Sequence, residues 1–229
     1  MGIKRLAKEC VYCGSKSQLT RDHVPGRGLF SDPLPSNLIT VPCCLKCNGE
    51  HEREDEYFRL HVASRQESRG HPEATQAGER AFSRLEHPES SGFRRYVLNS
   101  IVSLERVSAA PDSEGMLGVF MVDFSRLNRY AERTLKALFA YHWRVRVPED
   151  YKAVALCADM HSFSQQEMHE RLARMLSVVE NAKQYSSARQ ILQYKFAPFM
   201  TDGISSIWAL SFFSHTAFIG AVVPGGAGA

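Results

Sequence analysis

Two Cys-x-x-Cys pairs, Cys10–Val11–Tyr12–Cys13 and Cys44–Leu45–Lys46–Cys47, are the residues of this sequence whose type and spacing best suit a metal ion. Zinc takes four soft ligands in a tetrahedron, and each such turn presents two sulfurs to it. Gly14, directly after the first pair, lets the backbone turn tightly so that amide groups face the thiolates. Five of the six cysteines fall between positions 10 and 47. The start of the chain carries no apolar leader, and no run approaches a membrane span, so the expected setting is the cytoplasm, with no membrane partner. Thiols stay reduced there, and metal binding is a better reading than disulfides. Structural Zn2+ on Cys10, Cys13, Cys44 and Cys47 is therefore expected, with a redox pair as the alternative. Cys43 could replace Cys44, but only Cys44 keeps the two-residue gap to Cys47. Cys157, alone in an apolar stretch, reads as a small core residue.

Charge adds a second clue. The net charge is only +3, yet residues 1–30 hold six basic side chains against two acidic ones. Positive charge around the cysteine motif is what a phosphate-binding surface needs, although a solvated basic face would look the same. A composition of 44% hydrophobic and 23% charged residues excludes global disorder and allows a sizeable core.

The elements that must hold these residues follow from periodicity. Residues 1–65 are rich in Cys, His, Gly and Pro and short of apolar runs, so this segment needs a metal staple to fold. Within it, Leu19–Pro25 and Asn37–Pro42 read as two short strands around a Gly/Pro-rich loop, and a helix begins near Asn48. Residues 66–110 read as a helical connector, with helices at 72–85 and 93–104. Residues 111–229 read as an α+β domain with a largely antiparallel sheet. Its predicted strands are 116–123, 151–156, 191–196, 204–213 and 217–223. Its helices are 125–143 and 164–181, the second opened by Ser164 with Glu167 at the capping-box spacing. Arg126, Arg129, Arg133 and Lys136 give one helix a basic side, read as a solvated face or as a track for a nucleic-acid backbone.

A strand–strand–helix stapled by zinc between its first turn and its helix start is a treble clef, or ββα-metal arrangement. In Cys10-x-x-Cys13, Asp22–His23–Val24–Pro25, Asn37–Leu38 and Cys44-x-x-Cys47–Asn48 the sequence resembles the zinc-containing HNH endonucleases, over roughly residues 8–60. The stretch from Asn37 to Asn48 is a residue or two longer than in many members, and Asn48 stands where many have histidine. The resemblance implies hydrolysis of phosphodiester bonds, most often in DNA, with a single Mg2+ or Mn2+. It implies that His23 is the general base, that Asp22 and Asn48 hold the divalent metal, and that Asn37 orients His23. His51, one turn beyond Asn48, would be a third ligand or a phosphate contact; Glu50, then Asp55 and Glu56, come after it. Arg21, Arg27, Lys46 and Arg53 would be the phosphate contacts.

Each of these residues also has a structural reading. His23 would be a strand-end histidine bonded to a carbonyl, Asn48 the N-cap of the helix, Asn37 the closure of a turn and His51 a solvated side chain. The histidines outside the motif read as structural or surface residues. The functional alternative is a non-catalytic treble clef that binds nucleic acid or protein. A homodimer would suit an enzyme that must cut two strands.

Overall fold

The computed structural model describes residues 8–110, 113–158 and 166–226, and the fold is α+β. Strands β1 (Leu19–Val24) and β2 (Ile39–Cys44) pair antiparallel, with Asp22 opposite Val41 and His23 opposite Thr40. The Thr20 hydroxyl donates to the Cys43 carbonyl and ties the open end of this hairpin. Helix α1 (Leu45–Ala63) starts directly from the second cysteine pair, because the Cys44 sulfur accepts the Cys47 amide as an N-cap. The helix thus begins earlier than expected. Asn48 lies inside it, so its side chain is not needed as a cap.

Helix α2 (Pro72–Leu85) has the predicted bounds, with proline in its first turn, where the missing N–H costs nothing. The next segment differs from expectation. Helix α3 (Ser91–Asn99) ends where the Ser100 hydroxyl donates to the Val97 carbonyl. The chain then extends into strand β3 (Ile101–Ala110), which pairs antiparallel with β4 (Ser113–Phe120). The expected helix at 93–104 had merged a helix end with a strand start, since Val97, Leu98, Ile101, Val102 and Leu104 fit either period over so short a run. The strand expected at 116–123 stops at Phe120, and β4 belongs to this separate hairpin. The domain boundary expected between residues 110 and 111 falls between these two paired strands.

Helix α4 (Phe124–Trp143) is opened by Asp123, whose carboxylate accepts the Ser125 amide, and is closed by Arg144 in the left-handed region. Strand β5 (Tyr151–Cys157), helix α5 (Gln166–Val179) and strands β6 (Gln184–Ser186), β7 (Leu192–Pro198), β8 (Ser206–Phe212) and β9 (Thr216–Pro224) complete the chain. The predicted capping residue Ser164 lies outside the described residues. All neighbours in the five-stranded sheet, ordered β5-β9-β8-β7-β6, are antiparallel. The short β6 had no sequence signal of its own.

Helix α4 sits between α1 and the sheet. Phe58 of α1 stacks on Tyr130 of α4 with ring centres 3.6 Å apart, and Phe212 of β8 meets both edge-on. Leu135, Leu138 and Phe139 are fully buried on the sheet side, and one apolar cluster runs from Val11 and Val24 to Trp208 and Val222. Cys157 joins it, as a core residue should. The arginines of α4 correct another expectation. Arg126 and Arg129 pair with Glu54, and the buried Arg133 pairs with Asp55, so these cations staple α4 to α1. No helix among the described residues is long and apolar enough to cross a membrane.

Candidate functional site

The sulfurs of Cys10, Cys13, Cys44 and Cys47 lie within 4.8 Å of one another. Sγ of Cys13 is 3.7 Å from Sγ of Cys44. Two sulfurs bonded to one tetrahedral zinc at ~2.3 Å would be ~3.8 Å apart, so this pair already has the separation such an ion sets. The turns that place them are those the spacing requires. Gly14 has a φ of 75° and its amide donates to the Cys10 carbonyl, which closes the first pair into a loop. The Val11 amide donates to the Pro42 carbonyl and joins this loop to β2. Burial opposes ionisation of Cys10, but backbone amides of Cys44, Cys13 and Tyr12 point at its sulfur and bring its pKa down to about 7. Cys43 packs against Cys10, Cys44 and Cys47 but is not among the four.

Beside the tetrathiolate cluster lies a cavity of about 470 Å³, walled by the end of β1, the turn after it, one side of α1 and a residue each from α2 and α4. Asp22, His23 and Asn48 all line it, together with Arg21 and Arg27. Strand alternation turns Asp22 inward and leaves His23 half-buried on the other side of the strand. The chain leaves β1 through Pro25 and Gly26, so the cavity wraps the strand end and both side chains reach it. Burial, with the Arg27 guanidinium next, holds the His23 imidazole below its ordinary pKa.

Asp22 is fixed on its inner side. The Tyr12 hydroxyl donates to its Oδ2 at 2.6 Å, and Nδ1 of His51 stands 4.0 Å from the same oxygen. The Tyr12 ring meets the His51 ring edge-on, with centres 4.7 Å apart. Burial, and after it the Arg133 guanidinium, lowers His51 to about 4, with Asp22 opposing. No protein-family model, curated protein or solved structure matches this chain. Its site must be read from its own side chains.

Not all the residues singled out from sequence converge. Lys46 and Arg53 are exposed on α1 and stand outside the cavity lining, as does Glu50. Asn37 is exposed in the turn before β2 and makes no hydrogen bond to His23. His51 packs behind Asp22 and does not line the cavity. Asp55 and Glu56, ranked last from sequence, do line it, along with Glu52, Arg59, Arg84 and Tyr130. Positions 52, 55, 56 and 59 share a helix face with Asn48, a signal that spacing alone could have given. Arg84 comes from another helix, and nothing local marks it.

The charges in the cavity sort themselves. Arg84 pairs with Glu56 at 2.9 Å and Glu52 at 3.6 Å, and Arg133 pairs with Asp55. Burial raises Asp55 to about 6 even though Arg133 works against the shift. Among the described residues no carboxylate pairs with Arg21 or Arg27. These two guanidiniums are free to meet an anion where the cavity opens.

Proposed function

We propose that the chain is a metal-dependent endonuclease whose substrate is a nucleic-acid phosphodiester, with DNA the first to test. The observation that carries this reading is that Asp22, His23 and Asn48 wall one cavity next to two unpaired arginines, Arg21 and Arg27. Asp22 and Asn48 offer the hard oxygen ligands that suit Mg2+ or Mn2+. Such an ion, when bound, would neutralise the scissile phosphate and the departing oxygen. His23 takes the proton of the attacking water. An imidazole held below its ordinary pKa is neutral at cellular pH and ready for that task. Arg21 and Arg27 hold the backbone in register and read no base. The tetrathiolate zinc is structural: it ties the loop before β1 to the start of α1 and so sets Asp22 against Asn48.

The test is plasmid nicking by zinc-loaded protein with Mg2+ or Mn2+, alongside single-stranded DNA and RNA. His23→Ala should lower the rate by at least ~100-fold, the scale of a lost general base, with zinc content and melting temperature unchanged. Intact nucleic acid in every lane with folded wild-type protein would leave the non-catalytic binding module as the reading. An unaltered rate in His23→Ala would remove His23 from the mechanism. Light scattering of the same sample tests for a homodimer.

A further inference from the structure

Behind Asp22 stands a second set of ligands that the tetrathiolate cluster does not use. Donor atoms of Asp22, Cys43 and His51 all lie within 4.8 Å of one another. The strand register explains why. Asp22 faces Val41, so Cys43 is its diagonal neighbour on the same face of the β1–β2 hairpin, within side-chain reach. Helix α1 covers that face and lowers His51 onto it. Cys43 is fully buried and Asp22 nearly so. Nδ1 of His51 is buried and has no hydrogen-bond partner, a cost that a native fold seldom leaves unpaid. Tyr12 completes the wall by donating to Asp22, in the way that outer hydrogen bonds orient a ligating carboxylate.

We infer that Asp22, Cys43 and His51 form a second metal site, distinct from the four-sulfur cluster and selective for a borderline ion such as Zn2+. One carboxylate, one imidazole and one thiolate make a donor set that favours zinc over magnesium. Three protein ligands leave a fourth position for water. Binding replaces the Cys43 S–H bond with a sulfur–metal bond and releases that proton to solvent. Asp22 belongs both to this inner site and to the cavity, so an ion held behind it competes with a hard cation in front of it. Zinc at the inner site therefore restrains the cleavage proposed above. That consequence rests on the nuclease reading, whereas the binding does not.

The experiment counts metal. Protein loaded with excess Zn2+ and then desalted is analysed for zinc per chain, and a Co2+-loaded sample reports thiolate ligation by visible absorption. Wild type should carry one equivalent beyond the tetrathiolate ion. His51→Ala and Cys43→Ala should each weaken that extra equivalent by at least ~10-fold while keeping the first. The site is overturned if wild type holds a single equivalent, or if the extra one survives both substitutions. Loss of the tetrathiolate ion in Cys43→Ala would also overturn it, by making Cys43 a ligand of the first cluster. Added Zn2+ should slow Mn2+-dependent cleavage by wild type and not by Cys43→Ala; zinc bound without slowing would overturn the restraint. If no cleavage is found under any condition, the nuclease reading fails and the metal count still decides the site.

Discussion

Arg133 is the side chain on which the candidate site leans most heavily without taking part in it. It is buried, pairs with Asp55 and lies over the Tyr130 ring at 4.8 Å. Removing one member of a buried ion pair leaves the other charge uncompensated, at ~3–5 kcal/mol where both are fully enclosed. Asp55 keeps one side toward the cavity, so Arg133→Met should cost about 2 kcal/mol in urea unfolding, and adding Asp55→Asn should restore part of it. An Arg133→Met protein as stable as wild type would show that the pair contributes nothing net. At this scale the sequence was informative where chemistry is local. Asp22–His23 and Cys47–Asn48 are contiguous, and their neighbours fix the register that brings them together. Tyr12 and Arg84 were invisible as site residues, and Arg133 as a support of Asp55, because each comes from an element whose placement only the fold decides. Lys46 and Arg53 stand apart for the opposite reason: nearness in sequence puts them on α1, but exposed and outside the cavity lining.

Among the elements, α4 carries the most. It presents arginines to α1 and apolar residues to the sheet, and its close approach to β9 depends on a missing side chain. A Cβ at Gly220 would press on Leu135 of α4 and come within 3.0 Å of the Val154 carbonyl. Leu135 is fully buried, so any shift of its side chain disturbs the core around it. Gly220→Ala should thus destabilise by about 1–3 kcal/mol, the range for overpacking, read as a lower urea midpoint at an unchanged slope. A midpoint equal to wild type would mean the helix can shift. Strongly periodic elements such as α2, α4 and β7 to β9 were legible from sequence. The α3–β3 junction was not, since a few apolar residues around Ser100 satisfy both periods and the partner strand β4 settles the matter. The role of the α4 cations was equally hidden, because Glu54 and Asp55 lie some seventy positions upstream.

At the scale of the whole molecule, two more half-buried histidines join His51 in setting the response to acid. Burial, and then Arg126, lowers His61 to about 4; burial, and then Arg144, does the same to His142, which bonds the Tyr194 hydroxyl at 2.9 Å. In the unfolded chain both return to ~6.5. Between these values the unfolded state binds more protons, so stability falls as pH drops from about 6.5 toward 4 and levels off below. Melting temperatures across this window should show the slope, and His61→Leu should flatten it. An equal slope in the variant would shift the cause to protonation of the cysteine ligands.

One long-range clamp has a consequence for how the chain is made. Arg189, in the left-handed region just before β7, donates to the carbonyls of Ser31 and Pro33 and to the Glu73 carboxylate, at 2.7 to 2.9 Å. It thereby holds the loop whose other end, Gly28 and Leu29, forms one wall of the cavity. During synthesis the four cysteines leave the ribosome well ahead of Arg189, as a set placed to take up a metal ion. The loop must wait for a residue 158 positions later before it is pinned. The sulfur cluster is therefore in place long before the cavity is finished, and any reactivity housed there is withheld until Arg189 has been made.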